Sequence, residues 1–505
     1  MFFDLNVGAL AEPVSGRRWE RSEILEQVAR RVARFQRHGL ERGQRVFMPF
    51  GNKLEFFAEL LAIWKLGACA VPIDARLTSF EVTNLAEAAQ PKLAVIDAKT
   101  DPVVRQALGE TGVTVIDTQD TGDATADAGL SHLDDDALIL FTSGSTGAPK
   151  GVVHTHRSLR ARWMGLRDQL DLADFERTLC LLPTHFGHGL ICNCLFPWLS
   201  GKDLYITPPF QADIIMRLGK LLDDNRITFM SSVPAVWKLA LKMAKPPQSG
   251  NLRRVHVGSA PLSAHIWAEI RRWTGTRQVC NAYGITETGS WVAGLGNADC
   301  PAEDGLIGTG WGAVVKVLRN ADTDAPLRPE DECKPGESGY VWLNTPALMK
   351  GYFQRDDLTA NAVRDGWFLT GDIGFLDEQG RLALRGRERD EINKGGMKIY
   401  PSDVDAVVER FEGATDVCTF ALDDEIYGQS VAMAVVLGDH SAPVIRSLHA
   451  WMKSHLAEHK MPVRWWVVDE IPRTSRGKIN REAVKAACLP RPSIDLAGIL
   501  AEGKA

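Results

Sequence analysis

The residues Phe141 to Gly151, FTSGSTGAPKG, place glycines, hydroxyls and a lysine within one short stretch. Gly144 and Gly147 reach backbone conformations barred to other residues, so successive amide N–H groups can converge on an anion. Thr142, Ser143, Ser145 and Thr146 add hydroxyl donors, Lys150 adds a mobile positive charge, and Pro149 stiffens the exit. That combination suits the phosphates of a nucleotide. A flexible Gly/Ser linker is the bland alternative, but a linker is not normally preceded by a buried apolar strand and followed at once by Lys-Gly. The P-loop of kinases and GTPases requires Gly-Lys followed by Ser or Thr, and the order here is Pro149-Lys150-Gly151.

Other segments carry residue types that would complete such a site. Asn281-Ala282-Tyr283-Gly284-Ile285-Thr286-Glu287 follows the apolar Gln278-Val279-Cys280, a strand end opening into a polar turn, and Glu287 is a hard oxygen donor of the kind magnesium prefers. Alone, Glu287 would read as a surface acid. Gly258-Ser259-Ala260-Pro261 ends another apolar run, where small residues let a flat base approach the backbone. In Thr370-Gly371-Asp372 a carboxylate can accept both hydroxyls of a ribose, and Arg387 can donate to the same sugar. Near the C-terminus Pro472-Arg473-Thr474-Ser475-Arg476-Gly477-Lys478 ends on a lysine that, standing alone, would read as a solvated tail residue.

Taken in order, these stretches resemble the signature motifs of the acyl-adenylate-forming enzymes, which include the AMP-forming acyl- and aryl-CoA ligases, the adenylation domains of peptide synthetases, and luciferases. The resemblance spans nearly the whole chain. It implies that Thr142 to Gly147 and Lys150 hold the phosphates of ATP, that Tyr283 packs on adenine beside Gly258 to Pro261 and Asn281 to Gly284, and that Asp372 and Arg387 hold the ribose. Thr286 would bond the α-phosphate, Glu287 would hold Mg²⁺, and Lys478 would bridge the substrate carboxylate and the α-phosphate. A carboxylate would then attack the α-phosphorus, giving acyl-AMP and pyrophosphate, and a second nucleophile would take the acyl group. Lys394-Gly395-Gly396-Met397-Lys398 resembles the glycine-lined passage for the pantetheine arm of CoA, and Tyr427 lies where aryl-CoA ligases offer an aromatic face to the CoA adenine. CoA is the first choice of acceptor, a carrier protein or an amine the second, and a nucleotide-binding protein without turnover the reading from another class. His185-Phe186-Gly187-His188-Gly189-Leu190 occupies the segment that lines the acyl pocket, with a spacing similar to benzoate-type ligases but a different residue order. His185, His188, Trp237, Gly258 and Gly284 are the expected pocket residues, for an aryl or a medium-chain acid. Departures are mild: Asp405 stands where relatives usually carry Glu, and Arg389 stands at the hinge where Asp or Lys is usual.

The elements that must position these residues are legible as a rhythm. Short apolar runs at Val46 to Pro49, Ala70 to Ile73, Leu93 to Ile96, Ala137 to Phe141, Thr178 to Pro183, Leu204 to Thr207, Ile227 to Val233 and Arg254 to Gly258 alternate with helical stretches such as Leu54 to Leu66. This alternation predicts an α/β fold with a parallel sheet and right-handed crossovers. Leu159, Trp163, Leu166 and Leu170 predict a helix directly behind the phosphate stretch, leaving Arg157, Arg160, Arg162 and Arg167 on its other faces. From Arg21 to His38, Ile24, Val28, Val32 and Phe35 form one side of a helix, and Arg30, Arg31, Arg34 and Arg37 read as a solvated face. After about Gly305, Gly- and Trp-punctuated short runs predict a small, mostly antiparallel β unit, resembling a barrel, over about 305–385. The resemblance divides the chain into an N-terminal adenylation domain, 1–388, and a mobile α+β lid, 389–505, that alternates between two positions.

With 505 residues, 45% apolar content and 24% charge, the chain reads as globular and multidomain. A net charge of −6 gives no case for nucleic acid or an anionic membrane as partner. Its nine cysteines form no CxxC pair, consistent with reduced thiols. No run reaches the length of a membrane span and the N-terminus lacks a secretory pattern, so a cytoplasmic protein is expected, with a carboxylic acid and CoA as small-molecule partners and a homodimer left open.

Overall fold

The computed structural model describes residues 6–122, 124–128, 131–142, 150–296, 301–321, 327–395, 397–474 and 477–502. Three sheets organise the chain. In a seven-stranded sheet, Arg45–Met48, Cys69–Pro72, Leu93–Ile96, Thr114–Asp117 and the start of Asp136–Thr142 run parallel, and Lys150–Thr155 and Gly351–Tyr352 close one edge antiparallel. Cys69–Pro72 and Leu93–Ile96 are apolar and buried along their whole length, as expected where helices cover a parallel sheet on each side.

A 14-stranded sheet begins with parallel strands that include Arg177–Cys180, Asp203–Ile206, Phe229–Ser232 and Arg254–Gly258, and continues into the antiparallel strands between Ser290 and Arg387. Val279–Ile285 joins the two parts. Its first half runs parallel to Arg254–Gly258, its second half antiparallel to Ser290–Gly294, and the register shifts between Tyr283 and Gly284. The β-rich segment expected after Gly305 is thus hydrogen-bonded edge to edge with the parallel part. A third, five-stranded sheet contains Ile392–Lys394, Met397–Ile399, Ala414–Asp424, Gly428–Leu437 and Arg464–Val467, packed against the helices Pro401–Val408 and Ala442–His455.

The main core lies around Leu54–Lys65, a helix whose residues from Leu54 to Trp64 are all buried. Each large apolar side chain fully buried contributes roughly 1.5–3 kcal/mol. Two acids on this helix are buried as well, and they explain the first departure from expectation. Arg31 and Arg34, read as solvent-facing, are 2% and 1% exposed. Both donate to Glu59, Arg31 Nε at 3.0 Å, and Thr118 Oγ1 donates to the same carboxylate at 2.7 Å. Burial lowers the Arg31 pKa, and the neighbouring carboxylates oppose that shift. Charged groups can be buried when paired in this way, although Arg34 Nε has no hydrogen-bond partner among the described residues.

The second departure lies beside the phosphate stretch. The segment lies between two antiparallel strands, because Lys150–Thr155 pairs with Asp136–Thr142, and the helix His156–Arg167 starts only afterwards. Val152 and Val153 favour a strand, and Thr155 caps the helix by accepting from Ser158 N. Leu170 falls beyond the helix end, and Arg162 is 1% exposed rather than on an outer face. Its guanidinium donates to Thr288 O at 3.1 Å, Trp311 O at 2.6 Å and Thr345 Oγ1 at 3.3 Å, and burial pulls its pKa down to about 10.

Candidate active site

The hairpin brings Thr142 opposite Lys150 and Phe141 opposite Gly151. Gly151 is required by close packing: a Cβ there would lie 2.9 Å from Ile139 Cγ2 and 3.1 Å from the Phe141 ring. Ser143, Gly144, Ser145, Thr146 and Gly147 lie outside the described residues, so the chain presents the two ends of the turn. Lys150 Nζ stands 5.8 Å from the centroid of the Tyr352 ring. Gly351–Tyr352 pairs with Val152 and Val153, and the Tyr352 hydroxyl donates to Glu287 Oε1 at 2.8 Å. Tyr352 therefore ties the phosphate hairpin to the acidic turn. Burial and the Glu287 charge hold its phenol well above the ordinary value, so it stays a donor.

Glu287 sits in a single 3-10 turn, Thr286–Thr288, at the end of Val279–Ile285. Met349 N donates to its carbonyl at 2.7 Å, and His154 Nε2 contacts the Thr286 carbonyl at 2.7 Å. A carbonyl only accepts, so His154 carries its proton on Nε2. Among the described residues no group of three His, Cys, Asp or Glu could hold a metal. One carboxylate beside the segment expected to hold phosphates fits Mg²⁺, which takes one or two carboxylates and completes its shell with water and substrate phosphates.

Asp372 is 5% exposed and cross-strand from Arg387. Its Oδ1 is ion-paired with Arg387 Nε at 2.9 Å, its Oδ2 accepts from the Tyr283 hydroxyl at 2.5 Å, and its backbone N donates to Thr370 Oγ1 at 3.0 Å. The three residues expected around adenosine thus form one cluster. Asn281 Nδ2 spans to Leu306 O at 2.9 Å. Gly258 pairs with Ala282, whose carbonyl would lie 2.4 Å from a Cβ at Gly258, and a Cβ at Gly284 would lie 2.1 Å from Ser290 O. Strand packing alone accounts for both glycines. Beyond Gly258 the chain turns through Ser259, at φ +67°, towards Ala260 and the exposed Pro261.

His188 lies against this turn. Nδ1 is 2.9 Å from Ser259 Oγ and Nε2 is 2.6 Å from Ser231 Oγ, while the Ser231 hydroxyl donates to His256 O at 3.2 Å. Because the Ser231 proton is used on that carbonyl, Nε2 must donate to Ser231 and Nδ1 must accept from Ser259. Burial, then the nearby Lys478, brings the His188 pKa down to about 3, so the ring is neutral. Trp291 meets it edge-on at 5.6 Å. The other expected pocket residues sit differently: His185 Nε2 is 3.5 Å from Asp74 Oδ2, and Trp237 is fully buried edge-on to Trp273.

A cavity of about 610 Å³ opens between Asp74, Phe210 and Val236 on one side and Arg473, Thr474 and Gly477 on the other. The lysine segment is closed on itself by Thr474 N donating to Lys478 O at 2.8 Å and Gly477 N donating to Thr474 O at 2.8 Å. Gly477, at φ +75°, approaches the N-terminal part so closely that a Cβ would lie 3.1 Å from Val233 Cγ2. Ser475 and Arg476 lie outside the described residues.

Residues 8–353 match the family model described as AMP-binding enzyme, and residues 403–478 match the one described as AMP-binding enzyme C-terminal domain. The chain belongs to the AMP-binding enzyme family. It is 28% identical over 467 residues to a 2-succinylbenzoate–CoA ligase of Bacillus licheniformis, covering 91% of this chain and 93% of that protein. It is 27% identical over 490 residues to an oxalate–CoA ligase of Arabidopsis thaliana, covering 93% of each. The crystal structure of ATP-bound MatB from Rhodopseudomonas palustris superposes with a TM-score of 0.84 at 25% identity over 95% of both chains.

In this AMP-binding enzyme the residues expected to meet CoA also adjoin. Gly395, at φ +60°, turns between two short strands; its N–H donates to Tyr427 O at 2.8 Å, and a Cβ would lie 3.2 Å from Tyr427 Cδ1. Tyr427 is 49% exposed, and Lys394 Nζ is 5.9 Å from its ring centroid. Gly396 lies outside the described residues. Arg389 sits in the single 3-10 turn Glu388–Asp390 that links Leu382–Arg387 to Ile392–Lys394. Among the described residues no helix is long and apolar enough to cross a membrane. Sequence reasoning missed Tyr352, Ser231 and His154. Tyr352 stands in a two-residue strand with no pattern to announce it, and the other two act through partners remote in sequence.

The buried histidines of this AMP-binding enzyme predict acid sensitivity. Burial holds His154 and His156 at about 4 and His188 at about 3, against 6.5 for an exposed imidazole. A depressed folded pKa means that the unfolded chain binds the proton first. The associated stability is whole above pH 6.5 and is lost as pH falls towards about 4. From pH 7 to pH 5 each of the three should cost on the order of 2 kcal/mol. Denaturant midpoints at the two pH values check this; equal midpoints would show that these rings are not held neutral.

Proposed function

We propose that this enzyme is an AMP-forming carboxylic acid:CoA ligase, in which residues 1–388 form the adenylation domain and 389–505 a lid. The observation that carries this reading is the approach of the Lys478 segment to Val233, at the end of the strand Phe229–Ser232, with its charge near the buried His188, within the same chain that gathers Lys150, Tyr352 and Glu287, and Asp372, Arg387 and Tyr283. Lys150 and the hairpin turn hold the ATP phosphates, Asp372 and Arg387 the ribose, and Tyr283 the adenine. Lys478 draws the acid's carboxylate onto the α-phosphate, where negative charge must be brought together for attack. A carboxylate oxygen bonds the α-phosphorus as the bond to the bridging oxygen of pyrophosphate breaks. The sulfur of CoA then attacks the acyl carbon, gives up its proton, and expels AMP. Glu287 would hold Mg²⁺, which would supply charge neutralisation at the phosphates.

CoA is the acceptor named in both curated relatives above, although their acids differ widely. The exposed Tyr427 ring beside Gly395 offers a stacking face to its adenine. For the acid, the aromatic edge of Trp291 and the polar Ser259–His188–Ser231 chain favour an aryl acid over a medium-chain acyl acid. A panel of aryl and medium-chain acids, read by pyrophosphate release and by thioester formation with CoA, tests the proposal. Pyrophosphate release without thioester would redirect it to a carrier protein or an amine, and no release with any acid would overturn it.

Glu287→Gln keeps size and hydrogen bonding but removes the charge that anchors the cation. Its magnesium requirement for pyrophosphate release should rise about tenfold or more, as for the loss of a charged ligand worth ~1.4 kcal/mol or above. An unchanged magnesium titration would remove Glu287 from the metal role.

A further inference from the structure

One ion-pair network crosses from the N-terminal part to the C-terminal sheet. Lys238, on the helix Pro234–Met243, donates to Glu409 Oε1 at 2.7 Å and to Asp416 Oδ1 at 2.9 Å. Glu409 caps the helix Pro401–Val408, and Asp416 lies in the strand Ala414–Asp424. The other oxygen of Asp416 accepts from Arg473 Nη2 at 2.6 Å, at the start of the lysine segment. The Lys238, Glu409 and Asp416 side chains are only 17–18% exposed. Charges so far withdrawn from water depend on their partners, since removing one leaves the others buried and uncompensated. Here the uncompensated group would be Glu409, with Asp416 beside it on the same C-terminal side of the boundary left to Arg473 alone.

We infer that Lys238 is a positioning residue that latches the lid with Lys478 over the active site: it neutralises Glu409 and Asp416 together, and Asp416 in turn fixes Arg473 at the base of the lysine segment. Lys238 touches no reacting atom in this role. It sets the ratio of the lid arrangement described here to any other, and it rests on the proposed lid rotation. Arg410 and Asp304 form a second cross-boundary pair, more exposed and therefore weaker.

Pulsed electron-spin distance measurements on the full chain test the latch without acid, ATP or CoA, so they succeed or fail independently of the ligase reading. Labels carried on azidophenylalanine at the exposed Lys245 and Glu425 avoid the nine cysteines. The otherwise unmodified protein should show one dominant distance. Lys238→Met, which preserves the stem but not the charge, should shift the ratio of populations by about tenfold towards a second distance, and Lys238→Arg should restore the first. An unshifted distribution in Lys238→Met, or no dominant distance in the starting protein, overturns the latch. If Lys238→Met does not fold, Glu409→Gln is read the same way: a smaller shift in the same direction supports the latch and none overturns it.

Discussion

Lys478→Ala should lower pyrophosphate release by ~10²-fold or more, the usual consequence of losing one oriented cationic contact at a transition state. Thioester formation from synthetic acyl-AMP and CoA should stay within a few-fold of the unmodified enzyme, because the adenylate already contains the bond that Lys478 helps to form. The position of the residue supports the asymmetry. Its segment is a small closed turn pressed against Val233, and its charge reaches the buried His188 beside Ser259. Undiminished pyrophosphate release in this variant would show that Lys478 is a solvated lysine after all. Equal loss in both half-reactions would point to a general structural defect instead.

Arg389→Pro should still release pyrophosphate on the first turnover yet pass the acyl group to CoA at least ~10-fold more slowly, as expected when a hinge that must absorb a large torsion change is immobilised. Lys478 and the Gly395 turn both belong to the C-terminal part, and in the present arrangement it is the Lys478 segment that meets the strand ends of the N-terminal part. Arg389 lies in a one-turn 3-10 helix, whose usual φ of about −50 to −70° is the value that proline enforces. Proline should therefore hold the lid in its adenylating position. Arg389→Ala, which leaves the torsion free, should run both steps at nearly the original rates. Matching thioester rates for the proline and alanine variants would move the pivot elsewhere.

Much of the positioning frame was legible because alternating apolar runs and helices leave a periodic trace. Leu93–Ile96 and Arg254–Gly258 begin and end where the pattern places them. Arg31, Arg34 and Arg162 were misplaced for one shared reason. A helical pattern assigns charge to solvent, and only tertiary structure supplies the buried Glu59 or the carbonyls that reverse the assignment. The hairpin at the phosphate turn was hidden differently, since Lys150–Thr155 is short and runs straight into a helix whose periodicity dominates the window. At the site, motif residues such as Asp372, Arg387 and Tyr283 could be named from sequence, whereas the ion pair and hydrogen bond that join them could not. The polar chain of the proposed acid pocket was least legible, because it passes through Ser231, a residue with no motif around it.

Val279–Ile285 also constrains how this chain could be recombined with others. One edge of the strand belongs to the parallel partners and the other to the antiparallel ones, with the change of register at Tyr283 and Gly284. A crossover point placed there would graft a foreign backbone onto two inherited hydrogen-bond ladders at once, and a single-residue slip would turn its side chains to the opposite face. Fragments exchanged between homologues should therefore carry this strand together with Arg254–Gly258 and Ser290–Gly294 as one heritable block. The loops that follow it can then vary without disturbing the seam.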